Sequence, residues 1–149
     1  MRILIQRVNG ASVEIDLRIK SNIHKGLLVF VGIEESDSID DINYLTNKIV
    51  NLRLFNDELG VMNYSVKDIN GEILVISQFT LYANTTKGNR PSYINAAKPE
   101  KAIPIYELFI SKLNTVFEKQ TETGTFGADM KVALVNDGPV TLWLDSKDK

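Results

Sequence analysis

The sequence predicts a single α+β domain spanning residues 1–149, in which two main amphipathic helices pack on a mostly antiparallel, barrel-like β-sheet. Strand-like patterns dominate both ends of the chain, and two segments between them repeat apolar residues at helical spacing. A chain of 149 residues can bury a substantial core and leaves little room for a second domain.

The N-terminal part of the chain predicts three strands. Residues 3–8 and residues 11–17 alternate apolar and polar side chains, and Asn9-Gly10 between them is typical of a hairpin turn. Residues 26–33 form a nearly continuous apolar run, which indicates a central strand buried on both faces.

Further strands are predicted in the second half of the chain. Residues 72–79 (EILVISQF) indicate another buried strand. Residues 130–135 and 140–144 indicate two more, and Asp-Gly within residues 136–139 predicts a hairpin turn between them.

Two helices are predicted between the strands. Ser36 or Asp37 is suited to cap the first, and Pro104 falls near the first turn of the second. Two helices do not cover both faces of a sheet of about five strands, so a homodimer is expected to cover an exposed face or edge. The apolar positions are Ile39, Ile42, Leu45, Ile49 and Leu52 in the first helix, and Ala102, Ile105, Tyr106, Phe109, Leu113, Val116 and Phe117 in the second.

The composition excludes several kinds of site. Cysteine is absent, which excludes disulfides, thiolate metal sites and a cysteine nucleophile. His24 is the only histidine, and its polar surroundings just before a strand favour an exposed turn position over a catalytic one. Neither a metal nor another cofactor is expected.

The distribution of charge and apolar residues bears on location and partners. No apolar run approaches the roughly 20 residues needed to span a bilayer, and residues 1–7 resemble a strand more than a signal peptide, so a cytoplasmic protein is expected. The net charge of −2 argues against a large nucleic-acid footprint but allows an enzyme that grips one end of an RNA. The local basic residues Lys87, Arg90, Lys98 and Lys101 fit such a grip, although solvated loop charges are the more common case.

The segment Ser77-Gln78-Phe79-Thr80 is more polar than packing requires. It lies at the end of a buried strand, where backbone amides are available to stabilise an oxyanion and hydroxyls to orient water. The alternative is a strand end whose side chains bond their own turn, and composition alone favours it.

The second polar segment is residues 136–141 (NDGPVT). A hairpin turn accounts for every residue of it, with Pro139 at the first position of the following strand. If the Gly138–Pro139 bond is cis, two successive carbonyl oxygens turn to one side and can hold an ammonium group, but about 5–6% of such bonds are cis in folded proteins.

Together these two segments resemble the signature motifs of the bacterial and eukaryotic D-aminoacyl-tRNA deacylases. The similarity continues in the same order along essentially the whole chain, and it is weakest at residues 18–25. The flanking matches are residues 1–8 with Gln6-Arg7-Val8, 26–29, 52–55, 87–91 and 126–130.

The resemblance implies a homodimer with active sites at the subunit interface and a cis Gly-Pro bond. It implies that the carbonyls of Gly138 and Pro139 hold the α-amino group of the substrate and exclude an L side chain, while Arg7 braces their loop. Ser77, Gln78, Phe79 and Thr80 are then expected to bind the ester carbonyl and the terminal ribose of the tRNA. Phe126 and Met130 are expected to contact the terminal adenosine.

The chemistry of the reaction can also be anticipated. An unassisted threonine hydroxyl is a poor nucleophile at neutral pH, whereas an aminoacyl ester is activated and carries a neighbouring ribose hydroxyl. We therefore rank substrate-assisted attack by water above a covalent ester on Thr80. The alternatives are a related editing enzyme for a mischarged L-amino acid or glycine, with a trans Gly-Pro bond, a non-catalytic RNA-end-binding module, and a structural dimerisation domain.

Overall fold

The computed structural model describes residues 1–148, which contain eight strands, two α-helices and a 3₁₀ turn. The elements, in chain order, are β1 (Arg2–Ile15), β2 (Arg18–Ile23), β3 (Gly26–Gly32), α1 (Ile39–Asn51), β4 (Phe55–Asn56), β5 (Met62–Tyr64), β6 (Glu72–Ser77), the 3₁₀ turn (Phe79–Tyr82), α2 (Pro99–Phe117), β7 (Glu122–Thr123) and β8 (Lys131–Asp145).

Six strands form one sheet in the order β2-β1-β3-β6-β7, with β8 on the other edge of β1. The pairs that β1 makes with β2, β3 and β8 are antiparallel, whereas β3–β6 and β6–β7 are parallel. The curled sheet is nearly closed, so the prediction of a mostly antiparallel, barrel-like sheet with two helices is confirmed. A separate short hairpin is formed by β4 and β5.

Both predicted turns at Asn9-Gly10 and residues 136–139 are wrong. Each lies inside a long strand, because β1 and β8 pair with each other along almost their whole length. The turn-forming residues instead mark an irregular part of that ladder, where the register shifts between Gln6 and Val8 and again between Val8 and Gly10. The real turn after β1 is at Asp16-Leu17, where both residues have positive φ and Leu17 is exposed rather than part of a strand face.

Both helices pack into one apolar cluster on one side of the sheet. Of the predicted apolar positions, Ile42, Leu45 and Ile49 of α1 and Phe109 and Leu113 of α2 are almost fully buried there. A second cluster gathers residues of β1, β2, β3 and β6 on the other side, with side chains of β8 packed against it. Neither helix in the described part of the chain, residues 1–148, combines the length and apolarity needed to cross a membrane.

The helix starts differ slightly from those predicted. Ser38, not Ser36 or Asp37, caps α1, because its side chain and Asp41 form a reciprocal capping box. Asp37 is buried instead, where its carboxylate pairs with the ammonium group of Met1. Pro99 occupies the first turn of α2, and Pro104 lies one turn further in.

Candidate active site

An apolar cavity of about 530 Å³ opens at the carboxyl ends of the parallel strands β3 and β6. Its size falls within the range of small-molecule sites. The lining residues come from β3 and the segment after it, the end of β6 and the residues that follow it, the loop before α2 and the first turn of α2, and the loop before β8 with the start of that strand. They are Val31, Ile33, Ile76, Ser77, Gln78, Phe79, Tyr93, Ala96, Ala97, Pro99, Ala102, Phe126, Gly127, Ala128, Met130 and Val132.

Three residues of the first predicted motif, Ser77, Gln78 and Phe79, line this cavity. The backbone N–H of Gln78 donates to the carbonyl of Val31 at 2.7 Å, which holds the motif against the end of β3. Gly32 makes this close approach possible, since a Cβ there would lie 3.1 Å from the carbonyl oxygen of Gln78 and 3.0 Å from Leu81.

The fourth motif residue, Thr80, does not line the cavity. Its Oγ1 accepts a hydrogen bond from Nε2 of Gln78 at 2.5 Å, and within residues 1–148 no carboxylate or imidazole bonds to that hydroxyl. Phe79 and Thr80 begin the 3₁₀ turn, so their amides have no carbonyl of a preceding turn to bind. The strand end therefore offers two amides and a hydroxyl with no base beside it.

The predicted adenosine contacts, Phe126 and Met130, lie together in the cavity wall. The ring of Phe126 packs on Tyr106 of α2 with 5.7 Å between ring centroids. The Tyr106 hydroxyl donates to the carbonyl of Val75 at 3.1 Å, and burial raises the pKa of this phenol well above its usual range. Tyr106 is therefore a neutral, fixed support for the aromatic side of the cavity.

The loop before α2 supplies lining residues that the sequence analysis missed. Tyr93 packs edge-on against Phe79, with centroids 4.9 Å apart and an interplanar angle of 75°. The N–H of Ala97 donates to the carbonyl of Ile33 at 2.9 Å and ties the loop to the end of β3. The available signal was a short run with several apolar residues, Tyr93, Ile94, Ala96 and Ala97, after a polar loop.

The second predicted motif lies apart from this cavity. Gly138 and Pro139 are joined by a cis bond and do not line the cavity of their own chain. In the ladder with β1, Gln6 pairs with Thr141 and Val8 pairs with Asn136, so residues 137–140 bulge opposite Arg7 alone. Gly138 has φ of +121°, a conformation that favours glycine.

Arg7 connects this bulge to the rest of the fold. Its buried guanidinium donates from Nε to the carbonyl of Asp137 at 3.1 Å and from Nη1 to the carbonyl of Leu54 at 2.6 Å. It also pairs with the carboxylate of Asp137 at 3.1 Å. Asn136 adds a second brace, since its Nδ2 donates to the carbonyls of Arg7 and Val140 at 3.1 and 3.0 Å.

His24 lies outside both segments. It is exposed between β2 and β3, and its backbone N–H donates to the carboxylate of Glu72 at 2.5 Å. The prediction of an exposed turn histidine is confirmed.

Comparison with known proteins assigns this architecture to a family. The family model described as D-Tyr-tRNA(Tyr) deacylase matches residues 4–145, which includes both motifs. The chain belongs to this family. The match extends over nearly all the elements that form the cavity and the bulge.

Two curated relatives and two solved structures illustrate the similarity. Proteins named D-aminoacyl-tRNA deacylase from Flavobacterium psychrophilum and Bacteroides thetaiotaomicron are 63% and 62% identical to the chain, covering 100% of it and 99% of each relative. The structure titled c-Myc DNA Unwinding Element Binding Protein has a TM-score of 0.92 and 39% identity, covering 97% of this chain and 98% of that one. A probable eukaryotic D-amino acid tRNA deacylase shares the fold, with a TM-score of 0.82 at 14% identity over 96% and 97% of the two chains.

Proposed function

We propose that the chain is a D-aminoacyl-tRNA deacylase, a hydrolase that cuts the ester between a D-amino acid and the terminal ribose of tRNA. Membership of the family and relatives of that name at 57–63% identity support this activity. The observation that carries the proposal is the cavity itself, in which Ser77, Gln78 and Phe79 meet Phe126 and Met130. The reaction is a proofreading step of translation, for which we propose a cytoplasmic location.

The apolar cavity suits the terminal adenosine. The base is proposed to lie against the aromatic and thioether side chains of Phe126 and Met130, which offer flat and polarisable surfaces. The ribose and the ester carbonyl then lie at the polar strand end formed by Ser77, Gln78 and Phe79.

Hydrolysis is proposed to proceed without a covalent enzyme intermediate. The Thr80 hydroxyl already accepts a bond from Gln78 and has no base to remove its proton, which supports attack by water with help from the substrate's ribose hydroxyl. The amides of Phe79 and Thr80 are the proposed donors to the developing oxyanion.

Selection for the D form is proposed to come from the carbonyls of Gly138 and Pro139 in a second copy of the chain. The bulge lies away from the cavity of its own chain. On the same strand the side chains of Val135 and Trp143 are 61% and 50% exposed, and they form an apolar surface suited to a dimer interface. With the ammonium held by these carbonyls, an L side chain collides with the loop, while a D side chain points outward. Glycine has no side chain and escapes this filter.

Deacylation assays with D-tyrosyl-tRNA, L-tyrosyl-tRNA and glycyl-tRNA test the proposal. The expected result is rapid release from the D substrate and from glycine and background release from the L substrate. Absence of turnover of D-tyrosyl-tRNA refutes the activity, and equal rates for the D and L forms refute the chiral mechanism. Light scattering tests the assembly, since an active monomer at assay concentration contradicts a site shared between chains.

A further inference from the structure

The wall of the cavity is formed in part by a segment without acidic residues. The chain as a whole has a net charge of −2, yet no Asp or Glu lies between Glu72 and Glu100. This segment contributes the Ser77–Phe79 and Tyr93–Ala97 walls of the cavity and also carries Lys87, Arg90 and Lys98. The rim on this side therefore carries a local positive charge on an acidic protein.

Two of these cations, Lys87 and Arg90, lie on one closed loop. Asn84 and Ser92 exchange backbone hydrogen bonds of 2.8 and 2.9 Å, which close the loop 85–91 at its base. Ser92 directly precedes Tyr93, so the loop begins at the cavity wall. Lys87 and Arg90 are exposed and, among residues 1–148, form neither an ion pair nor a side-chain hydrogen bond.

Acidic groups elsewhere around the cavity offset the positive charge of some of the nearby lysines. Asp129, beyond the opposite wall, is paired with Lys131 at 2.8 Å, so these two charges offset each other. Lys98 shares a neighbouring cleft with Glu34 and Glu35, which reduce its attraction for an anion. Lys87 and Arg90 differ from both, because neither has a carboxylate partner among residues 1–148.

We propose that the loop 85–91 receives the single-stranded RNA as it leaves the cavity, with Lys87 and Arg90 contacting the phosphates next to the terminal nucleotide. This inference rests on the proposed function. Its physical basis is the combination that single-stranded nucleic acid requires, namely exposed aromatic rings for bases, here Phe79 and Tyr93, beside free cations for the backbone. An acidic peptide would need the cations but would leave the aromatic cavity without a matching group.

The test compares a long and a short substrate for the double variant Lys87→Ala/Arg90→Ala. The expected result with D-tyrosyl-tRNA is a KM increase on the order of ten-fold at low salt, with kcat retained. Two lost single-strand phosphate contacts should also reduce the slope of log Kd against log salt for deacylated tRNA by about 1.4. The 3′-D-tyrosyl ester of adenosine has no phosphate to contact, so its kcat/KM should stay at the wild-type value.

A matched control removes the same charge elsewhere. Lys25 lies at the opposite end of the β3–β6 pair, and Lys112 lies near the C-terminal end of α2, so Lys25→Ala/Lys112→Ala should leave the KM for tRNA and the salt slope unchanged. Equal changes of KM and salt slope in the two double variants would show that only the net charge of the protein matters, and this would overturn the proposal. An unchanged salt slope in Lys87→Ala/Arg90→Ala, or equal losses on the long and short substrates, would also overturn it. Failure of the wild type to hydrolyse either substrate would instead refute the proposed function.

Discussion

Replacement of Arg7 tests the link between the bulge and chiral selection. Arg7 is 7% exposed, and its guanidinium donates hydrogen bonds to the carbonyls of Leu54 and Asp137 while pairing with the Asp137 carboxylate. Arg7→Ala leaves the buried carbonyl of Leu54 and the partly exposed Asp137 without this donor, which corresponds to a loss of about 2–4 kcal/mol in the free energy of unfolding. For a domain of this size that is a fall in Tm of roughly 4–16 °C.

The conservative variant Arg7→Lys separates charge from geometry. An ammonium keeps the charge but lacks the planar fork that reaches Leu54 and Asp137 together, so an intermediate loss of about 1–2 kcal/mol is expected. Urea denaturation gives both values, and the ratio of kcat/KM for D- and L-tyrosyl-tRNA gives the functional effect. A shift of the bulge by about 1 Å is enough to lower activity on the order of 100-fold. Unchanged unfolding free energy and an unchanged D/L ratio in Arg7→Ala would show that the bulge holds its shape without this brace.

Three further predictions concern catalysis, the bulge and pH. Thr80→Ala should keep substantial deacylation of D-tyrosyl-tRNA, because in the proposed mechanism water rather than the Thr80 hydroxyl attacks the ester. Complete loss of activity in a folded, tRNA-binding variant would restore the covalent route. Gly138→Ala should lower the free energy of unfolding, measured by urea denaturation, by about 1–3 kcal/mol, because the φ of Gly138 is +121° and the new Cβ would lie 2.8 Å from Nη2 of Arg7. It should also lower the ratio of kcat/KM for D- and L-tyrosyl-tRNA. Wild-type values of both quantities would contradict this account. Burial alone would raise the pKa of Asp41, but hydrogen bonds from Lys147, Ser146 and Ser38 outweigh it and hold that pKa below its usual range. The ionised Asp41 carboxylate therefore stabilises the fold above about pH 4, and this contribution is lost as the pH falls further. Asp41→Asn should therefore show a weaker acid destabilisation than the wild type in unfolding curves recorded across this range.

Local patterns predicted the buried strands and both helices well. Residues 26–33 and 73–76 are apolar because both faces of β3 and β6 are covered, by the helices on one side and the second apolar cluster on the other. The helical spacing of residues 102–117 corresponds directly to the buried face of α2. In each case the same surroundings bury the whole length of the segment, so the spacing of its apolar residues is enough to predict the element.

Only some of the residues that line the cavity were predicted, and the difference has a physical reason. Ser77 was identified from the polar end of its strand, and Phe126 and Met130 through the resemblance; the structure brings the three together. Tyr93 and Ala97 were missed because their position depends on the tie between the loop and Ile33, a contact across more than sixty residues that leaves no periodic signal. In the proposed dimer the bulge meets the cavity of a second copy, a contact that no pattern within one chain can predict.

The two mistaken turns have a common origin that bears on function. Asn9-Gly10 and residues 136–139 each contain a strong hairpin signal, yet they face one another across the β1–β8 ladder, where Val8 pairs with Asn136 and Gly10 with Val135. Had residues 136–139 formed a tight hairpin turn, part of their backbone would have been used in closing that turn. In the bulge, Arg7 donates a hydrogen bond to the carbonyl of Asp137, and Asn136 donates one to the carbonyl of Val140. The carbonyls of Gly138 and Pro139 lie between these two held residues and outside the β1–β8 ladder. The irregularity that defeats the hairpin prediction is therefore the feature that leaves two adjacent acceptors on a braced strand, and these are the acceptors that the proposed ammonium site uses.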